Sequence, residues 1–467
     1  MSRVLVCGPD ADAVRRVLGH VHDVHAVSPT TLADAPWHGT TVAVVLGTDP
    51  GAAAAASVAA FVERGGTCVV PSASAAAVLP SGGAGRVLIS ADAAAALVQH
   101  LSVPPAPAEV ELTPLYLDGD VAEAVRIAAS GAADDLPHLV VGAAPDAPFS
   151  IPAYRRALDA CRRAFVPPWT ASVWGADVRL ADTLGYAPVT TSTQTLLEHA
   201  QLQPTLPTGT VFVATHQVAG RGRGGNRWIS PEGCLQFSVL WRQPLSMAAR
   251  MVFVQYLAAL AMAVGLEHAF GPAVCGRLRI KWPNDVYAQV ESGSPIPGVV
   301  RTVDGVPRTY AKVGGALVNA TTHGGDLAMV IGCGINCLNT LPTLSVALSA
   351  GTRDPPSMEM CAASVHTALE SVLGAFVSHG GSFAPLAHVY RALWLNADDE
   401  VLLAESGERV RIVGVTSDHG LLRTVPVAST LTARDDRAWG PSGTVDSIEL
   451  QPDGNTYDML HNMVRQR

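Results

Sequence analysis

The chain has 467 residues, 48% of them hydrophobic and 15% charged. That composition supports a sizeable core, leaves room for about three domains and excludes global disorder. The net charge of −9 is carried by residues 1–150, where 6 basic side chains face 15 acidic ones, so a basic nucleic-acid face is excluded there and no DNA partner is expected.

Taken in chain order, Arg3–Cys7, Thr41–Leu46 and Thr67–Val70 are short apolar runs. They are separated by helical patterns through Val14, Val17 and Leu18 and over Ala52–Arg64. This alternation predicts an α/β domain over 1–148 with a parallel sheet. Cys68 falls within a strand rather than a Gly-flanked elbow, so it is not expected to be a nucleophile. His20, His22 and His25 are close in sequence, but no carboxylate or Cys completes a ligand set, and no metal site is expected. The stretch from Ala128 to Ala147, rich in Ala, Pro, Gly and Asp, reads as a linker. From 149 to 395 the composition shifts toward tryptophan and polar motifs. Met251–Phe270 is apolar but broken by Gln255, Glu267 and His268, which predicts a buried helix rather than a membrane span. From 396 to 467, the runs Glu400–Leu403, Glu408–Val415 and Leu421–Val425 alternate with turn signals and predict a small β-barrel.

Eight cysteines stand far apart with no C-x-x-C pair, as expected of reduced thiols in a cytoplasmic protein. The opening MSRVLVCGPD is too short an apolar run for a secretory signal, and Asp10 and Asp12 argue against a mitochondrial presequence. The lysine count is more telling. Only Lys281 and Lys312 occur, against 29 arginines, so a position that keeps lysine wants a compact ammonium rather than a planar fork.

Both lysines sit in unusual surroundings. Lys281 opens K-W-P-N-D at 281–285, a strand end and tight turn that would present Asn284 and Asp285. Lys312 opens K-V-G-G at 312–315, where Gly315 and its neighbour allow a ligand close to the backbone. Ahead of them, His216–Trp228 is a Gly-rich loop containing Gln217, Gly220, Arg221, Gly222, Arg223 and Trp228. It formally contains G-x-G-x-x-G, but the turn S-P-E-G follows where a dinucleotide fold needs a helix, and neither lysine stands in a Walker A loop. A Gly-Arg loop of this kind suits an anion, which it meets with backbone N–H groups and guanidinium forks. Ser192, Thr193 and Gln194 open a helix, where a hydroxyl either caps the helix or meets a ligand. Val330–Asn336 is a strand with alternate glycines that ends in the Asn336 amide.

In this order, S-T-Q at 192–194, the loop at 217–228, S-P-E-G-C at 230–234, K-W-P-N-D, K-V-G-G and G-C-G-I-N at 332–336 resemble the biotin–protein ligase (holocarboxylase synthetase) family. The resemblance covers roughly 185–467, and the closing stretch Glu449–Val464 is similar to the eukaryotic branch. It implies an α+β catalytic domain of the biotin/lipoate ligase type followed by an SH3-like barrel. It also implies an ATP-dependent reaction, with Mg²⁺ on the phosphates, that makes biotinyl-5′-AMP and passes biotin to a lysine of a carboxylase's biotin-acceptor domain. Carried over residue by residue, the pattern assigns biotin to Ser192, Thr193, Gln194, Gln217, Gly220, Arg221, Gly222, Arg223, Trp228, Lys312 and Gly315. Arg223, Lys281, Asn284, Asp285 and Asn336 are assigned to ATP. Arg223, Lys312, Asp285 and Lys281 are the expected catalytic groups, with Asp285 accepting the proton of the incoming lysine. The first 148 residues resemble the glutamine-amidotransferase-like (flavodoxin-like) domain at the front of fungal ligases, without its nucleophile. The family's usual turn before K-V-G-G is replaced here by 24 residues, 288–311, expected to form a surface excursion. A lipoate– or octanoate–protein ligase and a non-catalytic biotin sensor are the alternatives; a biotin carrier is excluded, because neither lysine has M-K-M-like neighbours.

Overall fold

The computed structural model describes five strands within residues 1–110. From 112 to 466 it describes the chain except 122–138, 143, 145–146, 170–177, 292–293, 295, 297, 304–305, 324, 341–342, 404–405, 452–454 and 459–462. Residues 1–110 and 111–467 form two compact units.

In the first unit, β1 (Arg3–Cys7), β2 (Asp23–Ala26), β3 (Thr41–Leu46), β4 (Thr67–Val70) and β5 (Arg86–Ile89) make one sheet. Its order is β2-β1-β3-β4-β5, and every pairing is parallel. The three strands expected from the apolar runs have the bounds read from the sequence. Cys68 is buried in β4, and burial pushes its thiol up to about 12, which suits an inert core group. The expected helices and His20 and His22 lie outside the described residues, and nothing is described of the His25 side chain.

The second unit starts earlier than the composition suggests. β6 (Leu115–Asp118) pairs with β8 (Leu184–Thr190), and β7 (Leu139–Val141) pairs with β6, so both belong to the larger sheet. The boundary therefore falls at 110/111 rather than 148/149, and part of the expected linker is a strand. Leu115 and Leu117 alternate inward and are fully buried, a signal too short to stand out among the Ala and Asp around it.

The larger sheet continues with β9 (Val211–Gln217), β10 (Cys234–Pro244), β11 (Leu278–Lys281), β12 (Asp285–Gln289), β13 (Val299–Val303), β14 (Val306–His323) and β15 (Asp326–Asn336). Its order is β11-β12-β14-β15-β10-β9-β8-β6-β7, with β13 attached to β14. β8–β9 and β6–β7 are parallel and the other pairings antiparallel, so the sheet is mixed. The stretch 288–311 is more than a surface excursion: it holds β13 and the start of β14, paired from Val299↔Tyr310 to Val303↔Val306.

One face of this sheet carries α1 (Ile151–Ala164), α3 (Val254–Phe270) and α5 (Met358–Ser378), with α4 (Val346–Ala350) and α6 (Ala384–Leu393) at its margins, while α2 (Thr193–Leu197) packs on the other face with Phe212, Leu240 and Val330. Ser150 caps α1 by accepting from Ala153 N at 3.3 Å, and Ser357 caps α5 by accepting from Met360 N at 3.2 Å. α3 is apolar all round and almost wholly buried, as a core helix must be. α3, with the 3₁₀ stretch before it, and α5 are long and apolar enough to cross a membrane, and both are largely buried within this unit. They approach closely at Gly265, where a Cβ would lie 2.6 Å from Val365 Cα.

The C-terminal residues add β16 (Glu400–Leu403), β17 (Arg409–Val415), β18 (Leu422–Pro426), β19 (Ile448–Leu450), β20 (Asn455–Asp458) and β21 (Met463–Gln466). They form a six-stranded sheet of order β19-β18-β17-β16-β21-β20. Arg423, fully buried, ties it together by donating to Glu449 at 2.9 Å and to the carbonyls of Arg437 and Pro441.

His366 on α5 is fully buried beneath Phe237, with its Nδ1 paired to the Tyr154 hydroxyl at 2.7 Å. Burial, with the nearby Arg162 charge, lowers its pKa from 6.5 to about 3. Between these values the unfolded chain holds the proton and the folded chain does not. Stability is therefore full above pH 6.5 and falls as pH drops toward 3, by up to about 1.4 kcal/mol per pH unit. Urea unfolding from pH 7 to 4 should show this slope, and His366→Gln should flatten it. A second expectation concerns the boundary. A chain lacking 1–110 should keep a native circular-dichroism spectrum and cooperative melting, whereas one lacking 1–150 loses β6 and β7 and should not.

Candidate active site

The site lies on the sheet face opposite the core, and glycine clears its floor. In the ladder, Ala214, Gln236, Gly334, Gly315 and Asp285 stand side by side across β9, β10, β15, β14 and β12. Residues opposed in an antiparallel ladder share a face, so the two glycines open a strip between Gln236 and Asp285, about 14 Å at ordinary strand spacing. Alternation puts Gly332, Gly334 and Asn336 on that same face. Each of three glycines is overlain by a site group. A Cβ on Gly332 would come 2.2 Å from Gln194 Oε1, one on Gly334 2.4 Å from the Trp228 ring, and one on Gly315 2.8 Å from Asp285 Oδ1 and 3.3 Å from Lys312 Nζ. These close approaches are why the strands carry glycine.

At one end of the strip the charged groups meet. Lys312 Nζ lies 2.7 Å from Asp285 Oδ1 and 6.0 Å from the centre of the Trp228 ring. Arg223 Nη1 donates to Asn284 Oδ1 at 3.0 Å, and Asn284 Nδ2 donates to the Ala316 carbonyl at 2.7 Å. Lys281 pairs across β11–β12 with Asp285 and so shares its face.

At the other end is a buried polar set. Gln217 Oε1 accepts from Thr193 N at 2.8 Å and Thr193 Oγ1 at 3.3 Å, while its Nε2 donates to Ser230 Oγ at 3.3 Å. Thr193 Oγ1 lies 2.9 Å from Ser238 Oγ. Ser192 occupies the N-cap position of α2, but its side chain makes no capping bond, so of the two roles the sequence left open, capping is absent. Gln194 is fully engaged within the protein. Its Nε2 donates to Glu198 and to the Val330 carbonyl, and its Oε1 accepts from Ser238. It therefore braces the pocket rather than presenting a free amide.

The Gly-Arg loop bridges the two ends. It closes as a hairpin, with Gly222 N donating to the Asn226 carbonyl at 2.7 Å and Trp228 N to the Gly220 carbonyl at 2.9 Å. A Cβ on Gly220 would lie 2.4 Å from the Trp228 carbonyl. No helix follows the loop; the turn that leads into β10 does.

The turn at 281–285 is held from behind. Asn396, fully buried, accepts from Trp282 N at 2.9 Å, and the Trp282 indole donates to the Tyr256 hydroxyl at 3.1 Å. Tyr256 in turn donates to the carbonyl of Gly420, in the turn between β17 and β18 of the C-terminal sheet, at 2.5 Å. Asp399 accepts from Arg301 at 3.2 Å, which fastens β13 to the same region.

The structure thus brings together all the sequence-predicted residues: the polar set at one end, Lys281, Asn284, Asp285 and Lys312 at the other, and the loop between. Sequence reasoning missed Gln236, Ser238, Glu198 and Asn396. The first two were visible as polar residues alternating with apolar ones in C-L-Q-F-S-V-L-W, and Glu198 as the i+4 partner of Gln194. Asn396 had no local signal. Among the described residues, no three His, Cys, Asp or Glu side chains gather as a metal set.

The domain is a mixed sheet with a polar pocket and a cationic end beneath a Gly-Arg loop. Residues 186–336 match the model of the Biotin/lipoate A/B protein ligase family. Among curated relatives, the Schizosaccharomyces pombe biotin–protein ligase is 33% identical over 60% of this chain and 43% of its own length. The Homo sapiens biotin–protein ligase is 29% identical over 61% of this chain and 36% of its own. The chain thus aligns with less than half the length of either relative. A solved Aquifex aeolicus biotin protein ligase in complex with biotin and ATP is 22% identical, with a TM-score of 0.40, over 58% of this chain and 96% of that one.

Asn396→Ala would leave the buried Trp282 N–H without its acceptor, at a cost of about 1–3 kcal/mol. Urea unfolding should show this loss.

Proposed function

We propose that this chain is an ATP-dependent biotin–protein ligase. The observation that carries the reading is the convergence of both lysines of the chain, Asp285, Asn284 and Arg223 at one end of a glycine-cleared strip whose other end is a buried amide–hydroxyl pocket. Such a strip suits a ligand with a polar ring at one end and a carboxylate at the other.

In the first step a carboxylate oxygen of biotin attacks the α-phosphorus of ATP. The bond to the bridging oxygen breaks, pyrophosphate leaves and biotinyl-5′-AMP remains. Ser192, Thr193, Gln217 and the backbone at Gly220 and Arg221 hold the ureido ring. Lys312 and Arg223 screen the two anions from each other, and Lys281, Asn284 and Asn336 face the nucleotide. Lys312 rests on Asp285 and Arg223 on Asn284. An arriving anion draws both cations off the turn and leaves the Asp285 carboxylate exposed. In the second step the amine of an acceptor lysine attacks the acyl carbon, AMP leaves, and Asp285 takes the proton. The oxygens on offer, Asp285 with the Asn284 and Asn336 amides, fit a Mg²⁺ carried in on the triphosphate rather than a protein cage; bound there, it would neutralise phosphate charge.

The acceptor is proposed to be the biotin domain of a carboxylase, and the compartment the cytoplasm. The parallel order β2-β1-β3-β4-β5 is that of flavodoxin-like sheets, which supports an amidotransferase-like front domain. Its buried Cys68 favours docking or regulation over amide hydrolysis. The six C-terminal strands support an SH3-like barrel.

Pyrophosphate exchange into ATP, run with biotin, lipoate and octanoate in parallel, tests the reading. Exchange should depend on biotin, and Lys312→Ala should lower it about 100-fold. Exchange with lipoate or octanoate alone would move the chain to the sister activity, and biotin binding without exchange would make it a sensor.

A further inference from the structure

The Gly-Arg loop is anchored at two points. At its tip, Arg223 reaches Asn284, a contact that a bound anion replaces in the reading above, on which the present inference rests. At its base, Arg221 Nη1 donates to Glu198 Oε2 at 2.6 Å. The other oxygen of Glu198 is occupied: Oε1 accepts from Gln194 Nε2 at 2.6 Å and from Asn319 Nδ2 at 2.6 Å. Two amides from α2 and β14 therefore hold the carboxylate in place before Arg221 arrives, so the pair does not order two loose side chains at once.

The same residues continue into the pocket. From Glu198 the hydrogen bonds run through Gln194 to Ser238 at 3.3 Å, to Thr193 at 2.9 Å and on to Gln217. We propose that Glu198 is a positioning residue that couples the base of the loop to the polar pocket, so that one carboxylate sets both the lie of the loop over the acyl-adenylate and the orientation of the groups that hold the ring.

The test uses the full chain and the variants Glu198→Ala, Glu198→Gln, Arg221→Ala and Glu198→Ala/Arg221→Ala, each first checked by thermal melting. Escape of biotinyl-5′-AMP is read as labelling of an added lysine-rich carrier protein, in parallel with KM and kcat of pyrophosphate exchange. Glu198→Ala should raise escape about fivefold, as expected for a half-exposed ion pair, and should raise KM for biotin more than it lowers kcat. Arg221→Ala should match it in escape, and the double variant should be no worse than either single one. Glu198→Gln, which keeps the amide contacts, should recover the KM but not the escape. In ligand-free protein, trypsin should cut after Arg223 and Arg227 faster in Glu198→Ala than in wild type. High salt should erase that difference by loosening the wild-type loop. Wild-type escape and cleavage in Glu198→Ala, or additive effects in the double variant, overturn the proposal. A wild-type chain that neither binds biotin nor exchanges pyrophosphate overturns the reading beneath it instead.

Discussion

The site depends on what is missing from three positions. Gly315, Gly332 and Gly334 carry no Cβ, and into that space come the Asp285–Lys312 pair, the Gln194 amide and the Trp228 ring. A methyl group at any of the three would collide with the group above it. The pocket, the cationic end and the seat of the loop are therefore all set by one row of bare backbone. The rest of the domain holds that row flat: α3 and α5 bury its far side, and β10 and β12 flank it.

The turn at 281–285 shows how much fastening one reactive segment needs. Asp285 and Asn284 each receive a cation at the front, while Trp282 is gripped at the back by Asn396 and Tyr256. Through Tyr256 and Gly420, the C-terminal sheet reaches the turn by two hydrogen bonds. The C-terminal residues thus do more than add mass beside the site. They fix where its carboxylate sits.

Much of this was legible in the sequence, for identifiable reasons. Arg3–Cys7, Thr41–Leu46, Thr67–Val70 and Glu400–Leu403 are apolar runs bounded by turn residues, and they are strands with those limits. The lysine count pointed to Lys281 and Lys312 before any geometry was known, because arginine had taken the other basic positions. The 110/111 boundary was hidden because β6 and β7 are only four and three residues long and lie in Ala- and Asp-rich surroundings. The pairing in 288–311 was hidden because β13 owes its place to β14 rather than to its own composition. Asn396 acts across the fold, at a separation that periodicity does not reach.

The scarcity of lysine has one more consequence. In the proposed reaction the acyl-adenylate reacts with whatever amine it meets, and the protein nearest to one that has just escaped is the chain that made it. This chain presents 29 guanidiniums, which stay protonated and do not acylate, and two lysines. One of those is held by Asp285 and the other lies on the same face of the site. A chain built this way would offer such an adenylate few amines of its own.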